Sequence, residues 1–105
     1  MACFADILRT LPSVDHIAQL ELSDATGQPV GVIENRPGSA GSVAVYNAVT
    51  GSDGRLDPSA AEYALALYAE HTADARANPG KHPNIDRLLA LIDNGQRLHV
   101  RIVSR

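Results

Sequence analysis

The chain has 105 residues, of which 45% are apolar and 20% are charged, and its net charge is −3. This length indicates one domain over residues 1–105, and the apolar fraction excludes wholesale disorder. The nine basic residues are scattered along the chain, whereas proteins that grip nucleic acid gather them on one face, so we predict no nucleic-acid partner.

The cellular compartment is indicated by what the sequence lacks. Cys3 is the single cysteine, so no intramolecular disulfide can form, which favours a reducing compartment. The first eleven residues are too short, and too interrupted by Asp6 and Arg9, to be a secretory signal. No apolar run approaches the ~20 residues of a membrane span. We therefore expect a cytoplasmic protein that does not interact with a membrane.

The first half of the chain predicts a short helix followed by a β-hairpin. Within the stretch ACFADILRTL (2–11), apolar residues at 4, 7, 8 and 11 have helical spacing, and Pro12 ends the helix. The ranges 17–22 and 30–33 predict two strands on either side of the turn sequence DATGQP.

Two helices are predicted in the middle of the chain. A loop over 36–42 leads into the first helix, which we expect over about 43–50 with Ser42 as its N-cap. The second covers about 58–77, because Asp57 is a favoured N-cap and proline suits the first helical position. The sequence Asn-Pro-Gly that follows cannot continue that helix.

The C-terminal part predicts one more helix and one more strand. Asn84 is the expected N-cap of the helix, and Gly95 ends it. The alternating sequence LHVRIV (98–103) predicts the last strand, with His99 on its solvent side.

The order of these elements predicts an α+β fold, because strands and helices are segregated along the chain. We expect the C-terminal strand to join the hairpin in a small antiparallel sheet of three strands, with about four helices packed on one face. An exposed edge of such a sheet invites pairing with a second copy, so the expected partner is a homodimer formed through a sheet edge.

The stretch EHTADARANPGKHPNIDRL (70–88) concentrates the reactive side chains of the chain. On a helical wheel His71 points toward the core, and Asp74 lies one turn further on as an i,i+3 partner. Lys81 and His82 follow in the loop. We take these four residues as a candidate polar pocket.

Two interpretations of this pocket stay open. A histidine oriented by a carboxylate suits proton transfer or ligand binding near neutral pH. The alternative is a structural His71 that hydrogen-bonds a loop carbonyl and ties two helices together. Asp86 could complete a metal site, but HxxxH, HExxH and CxxC spacings are missing, so we predict no metal and no cofactor.

A small anionic ligand is a further expectation. The amino end of the helix after His82 carries free amides and a partial positive charge. The other loop that joins a strand to a helix offers a candidate anion loop, whose residues are Arg36, Gly38, Gly41 and Ser42. It lacks the Lys and the spacing of a P-loop, so glycines that only serve the turn are the alternative.

The two loops PGSAGSV (37–43) and PGKHPNI (79–85) share one frame. Each has Pro-Gly, three residues, a capping residue and then a β-branched apolar residue. The flanking sequences differ, so the common frame indicates parallel turn chemistry rather than a duplication.

The chain resembles a family of short bacterial proteins that form an uncharacterised domain of unknown function. The resemblance rests on LALYAEHTADARANPGKHPNIDRLL (65–89), LPSVDHI (11–17) and GSVAVYN (41–47), and it covers nearly the whole chain. It implies a bacterial cytosolic single domain and carries no activity, cofactor or catalytic residue to transfer.

We therefore predict a small non-catalytic binding or regulatory module. The alternative is a small acid–base or metal-assisted enzyme that uses His71, Asp74 and His82. A structural subunit of a larger assembly is the third interpretation.

Overall fold

The computed structural model describes residues 3–105 and contains four strands and five helices over that range. The strands are β1 (Ile17–Asp24), β2 (Pro29–Glu34), β3 (Arg55–Leu56) and β4 (Leu98–Ser104). The helices are α1 (Phe4–Leu8), α2 (Ala40–Val49), α3 (Pro58–Tyr68), α4 (Glu70–Ala77) and α5 (Pro83–Asn94). The predicted α+β fold is confirmed; Ala2, in the stretch of the first predicted helix, lies outside the described residues.

The strands form one antiparallel sheet in the order β2-β1-β4-β3. The predicted hairpin is present, and the C-terminal strand joins it as predicted. The expected total of three strands is wrong, because β3 pairs Arg55 with His99 and Leu56 with Leu98. Two residues are too few to produce a periodic pattern, which is why the sequence did not indicate β3.

The core lies between one face of the sheet and the helices. It is built from Leu, Ile, Val and Ala with two tyrosines, and its fully buried members include Ile17, Leu20, Leu22, Ile33, Val43, Val45, Tyr46, Leu56, Leu88 and Leu91. On the opposite face, Glu21 of β1 pairs with Arg101 of β4 at 2.6 Å, and Val32 is 52% exposed. Among residues 3–105 no helix has the length and apolar character to cross a membrane.

Tyr46 ties α2 to α5 within this core. Its side chain is fully buried, and its hydroxyl donates to the carbonyl of Asn84 at 2.6 Å. Arg87 donates to the same hydroxyl at 3.2 Å and to Oδ1 of Asn84 at 2.9 Å. Burial raises the pKa of Tyr46, so the phenol stays protonated and remains a donor. This network fixes the amino end of α5 beside α2.

The predicted helix over 58–77 is wrong in one respect, because the chain breaks at Ala69 between α3 and α4. Ala69 has φ 53° and ψ −120°, a conformation that favours glycine. The hydroxyl of Thr72 donates to the carbonyl of Leu65 at 2.6 Å and thereby satisfies an acceptor at the break. No Gly or Pro marks the break in the sequence, so the sequence predicted one helix here. The structure therefore has five helices where about four were predicted.

The predicted N-caps are correct for one helix of three. Asp57 accepts from the amide of Ala60 at 2.9 Å, as expected. In contrast, α2 begins three residues earlier than predicted, and the expected cap Ser42 lies inside its first turn. Likewise α5 begins at Pro83, with His82 rather than Asn84 at the cap position. Proline at the first helical position fits its fixed φ and its missing amide hydrogen.

Candidate functional site

The two Pro-Gly loops meet at one pocket of about 380 Å³. We call it the two-loop pocket. It is bounded by α1, the first turn of α2, the end of α3, the start of α4 and the start of α5. Its lining residues are Phe4, Leu8, Gly38, Ala40, Gly41, Ser42, Tyr68, His71, Lys81, His82, Pro83, Asn84 and Ile85.

The two candidate sites that the sequence treats separately therefore share a wall. His71, Lys81 and His82 of the polar pocket line the same cavity as Gly38, Gly41 and Ser42 of the anion loop. Two predicted residues do not line the pocket. Arg36 turns away to pair with Glu34, and Asp74 stands behind His82.

Asp74 holds His82 in place. Its Oδ2 lies 2.6 Å from Nε2 of His82 and 3.0 Å from Nζ of Lys81, while Nδ2 of Asn78 donates to Oδ1 at 3.0 Å. The hydrogen bond from His82, followed by that from Lys81, lowers the pKa of Asp74 from 3.8 to about 2. An ionised carboxylate only accepts, so Nε2 of His82 carries a hydrogen and Nδ1 is left for another partner.

The expected pairing of His71 with Asp74 is wrong. The ring of His71 packs edge-on against Phe4, with centroids 4.9 Å apart, and lies 5.6 Å from the ring of His82. Within residues 3–105 the ring makes no hydrogen bond, so the structural alternative of a bond to a loop carbonyl is not seen either. Asp74 lies one helical turn after His71. Its carboxylate is bound by Lys81 and His82, which lie in the loop after α4.

The aromatic part of the wall was missed by the sequence reasoning. Phe4 stacks on Tyr68 with centroids 5.4 Å apart, and its amide donates to Oε1 of Glu70 at 2.8 Å. The hydroxyl of Tyr68 donates to Oγ of Ser42 at 2.7 Å. Tyr68 is buried, and the tertiary packing of α1 brings Phe4 to it.

Gly41 allows α1 to lie over the amino end of α2. A Cβ at this position would stand 3.1 Å from Cε2 of Phe4, closer than ordinary van der Waals contact. Gly38, by contrast, has φ 95°, a conformation suited to glycine, and nothing would touch its Cβ. The alternative that the glycines serve the backbone therefore accounts for Gly38, whereas Gly41 serves the packing of Phe4.

Three backbone amides on the lining residues have no partner among the described residues. They belong to Gly41 and Ser42 in the first turn of α2 and to Asn84 in the first turn of α5. First-turn amides have no carbonyl four residues back within their helix. The amino ends of two helices therefore offer donors and partial positive charge at the two-loop pocket.

Two further groups weighed in the sequence lie outside the pocket. Oδ2 of Asp86 accepts from the amide of Gly80 at 2.9 Å and closes the loop before α5. Cys3 is exposed, with its Sγ 3.3 Å from Oδ2 of Asp6. Over residues 3–105, no three side chains of His, Cys, Asp or Glu stand together in a way that could hold a metal ion.

Comparison with known proteins gives one match. No curated protein and no solved structure matches the chain. Residues 4–102 match the family described as "Uncharacterized protein conserved in bacteria (DUF2322)", which confirms the resemblance noted in the sequence. The match leaves out only the first three and last three residues, and the chain therefore belongs to this bacterial family.

Proposed function

We propose that the protein is a non-catalytic binding module whose two-loop pocket takes a small anionic ligand, such as a phosphate or a carboxylate. One observation carries the proposal: His71, Lys81 and His82 share a pocket with the amino ends of α2 and α5. Cationic side chains and first-turn amides are the groups that proteins use for such anions.

The electrostatic balance of the pocket supports an anion. Asp74 is bound by Lys81 and His82, and Glu70 accepts a hydrogen bond from the amide of Phe4. No carboxylate is among the lining residues.

The size and walls of the pocket limit the ligand. A volume of about 380 Å³ lies at the small end of the range for ligand sites. Phe4, Leu8 and Tyr68 supply apolar surface beside the polar groups, with Phe4 against the ring of His71. The ligand that fits best is a compact anion with a small apolar or aromatic portion.

Titration of the 15N-labelled protein with inorganic phosphate and with acetate tests the proposal. We expect saturable shifts of the amide resonances of Gly41, Ser42 and Asn84, and weaker binding in His71→Ala and Lys81→Ala. His99→Ala is the matched control, because His99 is exposed and does not line the two-loop pocket. Shifts that avoid these three amides, or that persist unchanged in both pocket variants, would overturn the proposal.

Native mass spectrometry of protein purified from its own host extends the test to the natural ligand. We expect a retained small molecule that His71→Ala loses and His99→Ala keeps. A mass that equals the bare chain in both cases, together with a negative phosphate titration, contradicts a ligand site at the two-loop pocket.

A second function is favoured by the pairing of Asp74 with His82. A carboxylate that binds Nε2 and leaves Nδ1 for another partner, on a histidine that lines a pocket, is the arrangement of a general base. If the module is an acid–base enzyme, a retained ligand is converted on incubation, and Asp74→Asn lowers the rate roughly 10²- to 10⁴-fold while binding persists. A ligand that stays chemically unchanged rejects this alternative and leaves the binding proposal intact.

A further inference from the structure

A second concavity lies between α3, α4 and α5 and shares no lining residue with the two-loop pocket. Its volume is about 860 Å³. We call it the three-helix groove. Its floor is apolar and is formed by Leu65, Ala75, Leu89 and Ile92. Its rim consists of Pro79 and the four charged residues Glu62, Arg76, Asp86 and Asp93.

The floor of the groove includes an apolar face of α5 that the core covers only in part. Leu88 and Leu91 are 0% and 1% exposed and point into the core. Leu89 and Ile92 pack against the edge of the core, are only partly buried, and also line the groove. The helix therefore presents apolar side chains on two sides, and one of these sides is open to solvent.

The rim places negative charge at both ends of this floor. Asp86 and Asp93 are seven residues apart on α5, which is two turns or about 10 Å. Glu62 of α3 lies across the groove, so three carboxylates stand against the single guanidinium of Arg76.

These rim charges have no counterion within the described residues. Glu62, Asp93 and Arg76 take part in none of the ion pairs of residues 3–105. Asp86 accepts a hydrogen bond from the amide of Gly80 and pairs with no cation. The excess negative charge of the rim is therefore free to act on a partner.

We propose that the three-helix groove docks a basic amphipathic helix of a partner protein. Apolar residues at i+3 and i+4 of that helix would cover Leu89 and Ile92, as helices do when they lie in an apolar groove. Lys or Arg at i and i+7 would stand about 10 Å apart, which matches the spacing of Asp86 and Asp93.

A second copy of this chain does not supply such a helix. None of the five described helices contains more than one basic residue: α4 has Arg76, α5 has Arg87, and the others have none. The charge pattern that complements the groove is thus absent from the described helices, which favours a partner of different sequence.

A designed peptide tests the proposal on the full-length protein. It has about fourteen residues, since shorter helices are marginal in water, with Lys at i and i+7, Leu at i+3 and i+4, and an Ala/Gln background. Fluorescence anisotropy measures its affinity, and 15N spectra locate its site. We expect saturable binding that shifts the amide resonances of Leu65, Leu89 and Ile92.

Charge-reversal variants distinguish binding of the peptide in the groove from a general attraction of a basic peptide to an acidic protein. Glu62→Lys and Asp93→Lys should each weaken the peptide about fivefold or more. Asp15→Lys is the matched control, because Asp15 is exposed, lies outside the groove and changes the net charge equally. Circular dichroism confirms that each exposed variant folds.

Three results would overturn the proposal. The first is no saturable binding of the peptide. The second is equal weakening by Asp15→Lys, which would mean that net charge alone attracts the peptide. The third is self-association of the free protein that shifts the same resonances, which would make a second copy the occupant.

Discussion

The carboxylate of Asp74 lies 2.6 Å from Nε2 of His82, and within residues 3–105 it makes no hydrogen bond with His71, one helical turn before it. The hydrogen bond from His82, followed by that from Lys81, lowers the pKa of Asp74 from 3.8 to about 2. When a carboxyl group has a lower pKa in the folded protein than in the unfolded protein, its ionised form stabilises the fold. This contribution is present at pH values above the pKa of the unfolded state. That contribution is lost as the pH falls from about 4 to about 2.

We therefore expect Asp74→Asn to lower the free energy of unfolding above about pH 4 and to make progressively less difference down to about pH 2. Urea unfolding at a series of pH values measures this difference. Glu62→Gln is the control, because Glu62 is exposed and takes part in no ion pair of the described residues. A difference that remains constant to pH 2 would show that Asp74 acts by packing rather than by its charge.

The break at Ala69 gives a second prediction. Its φ of 53° with ψ −120° is costly for any residue with a Cβ. Ala69→Gly should raise the free energy of unfolding by about 1 kcal/mol, because glycine adopts this conformation without strain. Thermal or urea unfolding measures the change. The matched control is Ala66→Gly inside α3, which should lower the stability by about 1 kcal/mol; equal losses in both variants contradict the strain at residue 69.

Much of the fold could be predicted because local signals agreed with the tertiary structure. Two strand-forming ranges on either side of a turn sequence predicted β1 and β2, and alternation predicted β4. Asp57 followed by proline predicted the start of α3. These features depend on nearest neighbours and periodicity, which the sequence carries directly.

The predictions that were wrong concern features that depend on contacts between residues distant in the sequence. Ser42 has the chemistry of an N-cap, but Tyr68 bonds to its hydroxyl and the helix begins three residues earlier. Asp74 has His71 one turn away, yet the loop after Asn78 returns His82 to it. The sequence identified residues in and near the two-loop pocket but not their hydrogen-bond partners. Those partners depend on the path of the loops, which the sequence does not show directly.

Phe4 and Gly41 give a third prediction about the wall of the two-loop pocket. A Cβ on Gly41 would lie 3.1 Å from the ring of Phe4. In the wild-type chain, Gly41→Ala therefore crowds the ring, and this crowding offsets the stability gained from the higher helix propensity of alanine. In a Phe4→Ala background the crowding is absent, and Gly41→Ala should stabilise by about 0.5–1 kcal/mol.

A double-mutant cycle measured by urea unfolding checks this coupling. The expected result is a coupling energy of about 0.5 kcal/mol or more between positions 4 and 41. Additive effects of the two substitutions would mean that α1 does not rest on the amino end of α2.

The homodimer through a sheet edge stays a prediction, and the structure makes its test specific. The amide of Asn35, the residue after β2, donates to the carbonyl of Ala18, so by alternation the backbone groups of Val32 point to the outer edge of β2. The side chains of Val30 and Val32 are 45% and 52% exposed. Free donors, free acceptors and β-branched side chains favour pairing with another edge strand.

Sedimentation velocity at increasing protein concentration measures the association. We expect a dimer in the wild type and a monomer in Val32→Lys, because a lysine on an edge strand opposes pairing. Tyr63→Lys is the control: Tyr63 is 57% exposed, but it lies on α3 rather than on the edge. A wild-type chain that stays monomeric at high concentration, or a dimer that Val32→Lys leaves intact, would exclude the β2 edge as the interface.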